Sequence, residues 1–205
     1  MCIWLTSDTH FLHANVLHLA VRDFPNITAH DDALISNWNK YVGKDDTVYH
    51  LGDFTLAGPK EAMALFSRLN GRIRVLGYPW HHDKRWIPRI AGMNGFSGFF
   101  SASGARVWVD PPMVVLEDVI TNDDGRGVPA TLCHYPMLSF DRSHYGALHF
   151  FGHSHNAGER RENCLDVGVD SAFALTGDYR PLRLEECVTL IRSWKGEPQS
   201  DNSVE

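Results

Sequence analysis

The sequence holds only four cysteines, Cys2, Cys133, Cys164 and Cys187, and no two of them stand in a C-x-x-C pair. That scatter excludes a thiolate zinc knuckle and a dithiol redox motif, and leaves reduced, mostly buried thiols as the expectation. No apolar run reaches the roughly 18 residues of a membrane-spanning helix. The opening, MCIWLTSDTH, carries no basic leader followed by a long apolar stretch, so a cytoplasmic location without a membrane partner is expected. Positive charge is also in deficit. Lys and Arg number 19 against 25 Asp and Glu, a net charge of -6 with histidine neutral. This disfavours a broad grip on long duplex nucleic acid. Low-complexity tracts and internal repeats are missing, which argues against disorder and against a solenoid.

What the chain has in surplus is histidine, twelve in 205 residues. Imidazole is the commonest metal ligand, so the surplus points to metal chemistry rather than to packing. The length suits one hydrophobic core, and a single domain over residues 1–196 with a polar tail at 197–205 is expected.

Hydrophobic periodicity gives the first half as βαβαβ. Strands are expected at CIWLTS, DTVYHLGD and RIRVLG. Between them, Leu34, Ile35, Trp38, Tyr41 and Val42 recur at helical spacing, as do Ala62, Leu65, Phe66 and Leu69 behind Pro59. The stretch from Ile87 to Asp110 is rich in Gly and Ser and reads as loop with a short helix. Strands follow at MVVLEDV, ATLCHY, ALHFFGH and NCLDVGVD, and a last helix at LEECVTLIRSW. The fold class is α/β, with a parallel sheet in the first half.

The polar clusters fall where the strands end: Asp8 and His10 in SDTH, Asp53 in HLGDF, His81, His82 and Asp83 in WHHD, His134 in CHYP, and His153 and His155 in FGHSH. Ligands of open α/β sheets bind at the carboxyl ends of strands, so clusters converging there would form one pocket. Imidazole and carboxylate donors without thiolates suit Mn, Fe, Zn, Ni or Co. They are too many for one ion, and two metals sharing a carboxylate account for them better.

In this order SDTH, LGDF, HHD, CHYP and GHSH resemble the D-x-H, G-D, G-N-H-D, H and G-H-x-H motifs of the calcineurin-like metallophosphoesterases, over roughly residues 3–170. The flanking TSDTHFLHANV, DDTVYHLGDF and LDVGVD are similar to small single-domain members from bacteria and phages. The resemblance implies a four-layer α/β/β/α sandwich with a dinuclear site, Mn foremost. Asp8, His10 and His155 would bind one ion, His134 and His153 the other, and Asp53 would bridge them. It implies hydrolysis of phosphate esters, phosphodiesters slightly favoured, on a small phosphate-ester or nucleotide substrate. A non-catalytic scaffold that keeps the fold with an impaired metal site is the alternative.

The departure from the motif is GYPWHHD, longer than G-N-H-D. Anchored on its last two residues, it puts His82 on the family's acid position, with Asp83 orienting its ring, and His81 on the position of the ligating Asn. Anchored on Gly77, it puts Tyr78 there instead. His13 and Asn15 resemble the family's H-x-N and are candidates to reach substrate or support the ligands. Asp166 is expected beside the ligating histidines and Arg160 at the pocket rim.

Overall fold

The structure, a computed structural model, describes residues 1–77, 82–87, 95–121, 125–158 and 160–194. Within them the chain is a mixed α/β protein with two sheets and five helices. The first half runs β1 (Ile3–Thr6), α1 (Val16–Leu19), α2 (Ile27–Tyr41), β2 (Thr47–His50), α3 (Pro59–Phe66), β3 (Arg72–Leu76), β4 (Gly95–Phe100) and β5 (Arg106–Asp110). The second runs β6 (Met113–Thr121), β7 (Gly127–Cys133), β8 (Leu148–Phe151), β9 (Cys164–Asp166), α4 (Val169–Thr176), β10 (Leu182–Arg183) and α5 (Leu184–Ser193). No helix among the described residues is long and apolar enough to cross a membrane.

The six-stranded sheet has the order β10-β1-β2-β3-β5-β4 and the four-stranded sheet the order β6-β7-β8-β9. Strands β1, β2, β3 and β5 are parallel, with antiparallel β10 and β4 at the edges. In the second sheet β7, β8 and β9 are parallel and β6 is antiparallel. Parallel strands end on the same side, so every loop after β1, β2 and β3, and after β7, β8 and β9, leaves from a common edge of its sheet. The two edges are stitched together by a bridge between Ser7 and Gly168 and by the Val169 N–H donating to Ser7 O at 3.1 Å.

Two cores fix this arrangement. In the first, Leu34, Ile35 and Trp38 of α2 and Leu65 and Phe66 of α3 pack on Val48, Ile73, Val75 and Val109. Helix α2 starts where Asn26 accepts the Ala29 N–H at 2.9 Å, an ordinary N-cap. In the second, Leu5, Leu51 and Leu76 of the first sheet meet Leu116, Ala130, Leu132, Phe150 and Leu165 of the second, with Cys187, Val188 and Ile191 of α5. Neighbours Trp4 and Leu5 divide between the two cores, as the alternation of a strand requires. Each fully buried aliphatic or aromatic side chain contributes roughly 1.5–3 kcal/mol.

The expected loop between Ile87 and Asp110 is largely a hairpin. Gly98, at φ +85°, lies inside the register shift between Phe96 and Phe100, and Gly104, at φ +74°, turns the chain into β5. The glycines that suggested a loop are a bulge and a turn. The strand expected through Asp170 ends at Asp166, and Gly168 opens α4 instead. The C-terminal tail from residue 195 lies outside the described residues.

Candidate metal centre

Where the strands end, the backbone turns left-handed at Asp8 (φ 57°), His10 (48°), Asp53 (57°), His153 (68°) and His155 (47°). Asp and His tolerate this region better than most residues, yet each instance costs about 1–2 kcal/mol. Backbone hydrogen bonds offset that cost. Asp8 N–H donates to Gly52 O at 3.1 Å, His10 N–H to Asp53 O at 3.0 Å and Phe11 N–H to Phe54 O at 2.9 Å, which splices the loop after β1 to the loop after β2.

The side chains so presented converge. Asp53 Oδ2 lies 3.7 Å from His10 Nε2, 3.7 Å from His134 Nε2 and 3.8 Å from His82 Nε2, and His10 Nε2 is 3.9 Å from Asp8 Oδ1. These separations are too long for hydrogen bonds and match those of donors around one cation held at about 2.0–2.2 Å. Asp8, His10 and His155 form one group able to hold an ion, and Asp8, Asp53 and His134 another. His153 joins the second, its ring centroid 5.2 Å from that of His134. Among the described residues, Asp8 Oδ1 and both ring nitrogens of His10 are buried without a hydrogen-bond partner. Buried polar atoms are rarely left so, and a cation would satisfy them.

The candidate ligands are themselves held. Asp8 Oδ2 accepts the His153 N–H at 2.9 Å. His155 Nδ1–H donates to Asp170 Oδ2 at 2.7 Å, which leaves Nε2 as the donor atom. Asp170 is also paired with Arg22. Asp166 lies behind the loop between β8 and β9, accepting from Ser154 Oγ and from the N–H of Asn156 and Gly168. His50 donates from Nε2 to Thr9 Oγ1, because that hydroxyl gives its own proton to Phe54 O, and His50 Nδ1 accepts the Gly52 N–H.

Burial dominates the electrostatics. It pushes the Asp8 carboxyl up to about 7, opposed by His155, and His50 down to about 3. His10 is driven well below its ordinary value by burial, so its imidazole is neutral and open to a metal. Asp170 is held down to about 2: burial raises it, but the hydrogen bonds from His155 and Arg22 outweigh that.

Of the residues expected from the sequence, Asp8, His10, Asp53, His82, His134, His153 and His155 come together. His13 joins them, its ring 5.6 Å from that of His10 and 5.4 Å from that of His82. His81 and Tyr78 lie outside the described residues. Asp83 departs from its expected part: instead of orienting His82, its buried carboxylate accepts the N–H of Phe54 and Thr55 and the Trp86 indole N–H. Asn15 is exposed at the start of α1, and Arg160 lies over the Trp194 ring, 4.1 Å from its centroid. Tyr135, next to His134, packs on His153 with 4.7 Å between ring centroids. Arg22 escaped the sequence reading, and one cation in the apolar stretch HLAVRDF is the signal that could have found it.

No family model matches the chain. An uncharacterized protein, MJ1445, of Methanocaldococcus jannaschii is 43% identical over 84 residues; the match takes in 40% of this chain and 47%, about half, of that protein. The Gene 66 protein of Mycobacterium phage L5 is 35% identical over 194 residues, covering 82% of this chain and 86% of the phage protein. Among solved structures, the protein of unknown function AQ665 from Aquifex aeolicus superposes with a TM-score of 0.59 at 19% identity, over 92% of this chain and 98% of that one, a likeness of fold.

Proposed function

Because the chain belongs to the family of the mycobacteriophage Gene 66 protein, a name that specifies no chemistry, its function has to come from the centre itself, and we propose a dinuclear metal-dependent phosphoesterase of the calcineurin-like type. Phosphate esters are the substrates, with phosphodiesters slightly favoured. The observation that carries this reading is the position of Asp53 Oδ2, within 3.7–3.8 Å of the Nε2 atoms of His10, His134 and His82. One carboxylate oxygen at the meeting point of three imidazoles suits a bridge between two ions. The same reading takes the two sheets as the middle of an α/β/β/α sandwich. The core shared by both sheets supports it, as does the packing of α2 and α3 on the first.

Asp8, His10 and His155 would hold one divalent ion, His134 and His153 the other, with Asp53 between them; Mn leads, with Fe, Zn, Ni and Co as alternatives. Such a pair, when bound, supplies charge neutralisation at phosphorus and acidifies water. The chain does the rest. Burial of Asp8, His10, Asp53 and His134 keeps bulk water off the donor atoms. His82 starts a short 3-10 turn (His82–Arg85) whose Asp83 is pinned to Phe54 and Thr55, so its ring is carried on a rigid support. Its half-buried side chain faces both the Asp53 carboxylate and solvent, where it would give a proton to the departing oxygen.

The test combines metal content with turnover. Protein purified in Mn should carry two ions and hydrolyse bis-nitrophenyl phosphate. His82→Ala should keep both ions while losing more rate on esters of poor leaving groups than on nitrophenyl esters. Equal slowing of both would count against the acid role, and a protein that binds two ions yet turns over no ester would favour the non-catalytic scaffold.

A further inference from the structure

Arg22 is buried, at 2% exposure, and carries a guanidinium with five N–H donors. All five are spent. Nε donates to Asp170 Oδ1 at 2.7 Å, and one terminal nitrogen donates to Asp170 Oδ2 and to Asp8 O, each at 2.7 Å. The other terminal nitrogen donates to Thr9 O at 3.1 Å and to His30 Nε2 at 2.9 Å. His30 then passes its Nδ1–H to Asp31 Oδ1 at 2.8 Å, and Asp31 Oδ2 takes the Leu12 N–H at 3.0 Å.

A buried guanidinium is a poor device for stability alone, since a well-packed apolar side chain often does as well. What this one does is geometric. Asp8 and Thr9 belong to the loop after β1 in the first sheet, whereas Asp170, through which it reaches His155, follows β9 of the second. One planar group therefore references ligating loops from two different sheets, and Leu12, just beyond His10, is tied to it through His30 and Asp31. The five acceptor atoms belong to Asp8, Thr9, His30 and Asp170, and none to His134 or His153.

We propose that Arg22 is the positioning residue that assembles the Asp8–His10–His155 half of the centre, and that the half around His134 forms without it. The proposal rests on reading the cluster as a two-cation centre. Lysine cannot replace it, because an ammonium is a point charge with three donors that cannot span a carboxylate, two carbonyls and an imidazole together.

The experiment is a calorimetric titration of metal-free protein with Mn, on the wild type, Arg22→Ala and Arg22→Lys. The wild type should bind two ions. Both variants should bind one with unchanged affinity and the other 10- to 100-fold more weakly, the usual range for loss of a ligand's support. Millimolar guanidine should restore the weakened site in Arg22→Ala, and adding His134→Ala to either variant should remove the ion that remained. Two wild-type affinities in Arg22→Lys would overturn the proposal, and that variant decides alone if Arg22→Ala does not fold. Parallel weakening of both sites, in step with a lower melting temperature of the metal-free protein, would also overturn it by marking a general structural role. A wild type that binds no Mn defeats this inference and the proposed function together. Selective loss of one site in a protein without phosphoesterase turnover upholds the inference and defeats only the catalytic reading.

Discussion

Asp83 holds Phe54 by its backbone: both carboxylate oxygens lie 3.1 Å from the Phe54 nitrogen, one residue beyond Asp53, and Oδ1 also takes the Thr55 N–H at 3.0 Å. The loop that presents the central carboxylate is thus clamped by a second carboxylate from the loop after β3. Burial pushes Asp83 up to about 6, a cost its hydrogen bonds only partly relieve.

Asp83→Asn should destabilise the protein by about 1–3 kcal/mol, because a carboxamide keeps one acceptor oxygen and turns an N–H2 toward backbone donors. Denaturant unfolding of the metal-free variant measures this. The dependence of rate on leaving group should stay as in the wild type. A change in that dependence with stability intact would return Asp83 to the part of orienting His82.

Gly152→Ala should damage the centre more than its single methyl suggests. A Cβ there would stand 2.6 Å from Ser7 Cβ and collide with Asp8 Oδ2 and Ser7 Oγ, while one at Gly158 would lie 3.4 Å from its nearest neighbour, Ser154 Oγ. Overpacking of this kind costs about 1–3 kcal/mol. Thermal melts with and without Mn separate the two variants: Gly158→Ala should gain as much from the metal as the wild type does, and Gly152→Ala little. Equal gains would mean that the Asp8 loop yields freely.

Asp170 makes acid stability a readout of the network. Its folded value, about 2, lies below its ordinary 3.8, so it stabilises the fold at every pH above about 4 and ceases to do so as pH falls through about 2. The stability gap between metal-free wild type and Asp170→Asn should be on the order of 2 kcal/mol at neutral pH and close toward pH 2. A gap that stays constant over that range would show that the charge of Asp170 is not its source.

Much of this was legible in the residues. Trp38 and Phe66 fall on helical faces, and Asp8, Asp53 and His134 stand where apolar runs stop, because burial periodicity and strand ends are local properties that sequence records. The β4–β5 hairpin was hidden because Gly98 and Gly104 serve a bulge and a turn that look like loop without their partners. The parts of Asp83 and Arg22 were hidden for a different reason. Each bonds backbone groups 13 or more positions away, and a hydrogen bond to a distant backbone N–H or carbonyl leaves no pattern in the chain.

The left-handed backbone at Asp8, His10, Asp53, His153 and His155 also restricts which side chains could replace the proposed ligands. Valine or isoleucine at any of these positions would fight the turn and the fold with it. Asparagine and glycine accept the conformation, so a descendant that abandons metal binding and stays folded has few spellings open to it. Asn or Gly at those five positions, over an intact Arg22 and Asp83, is the signature by which a silent relative would be recognised from sequence.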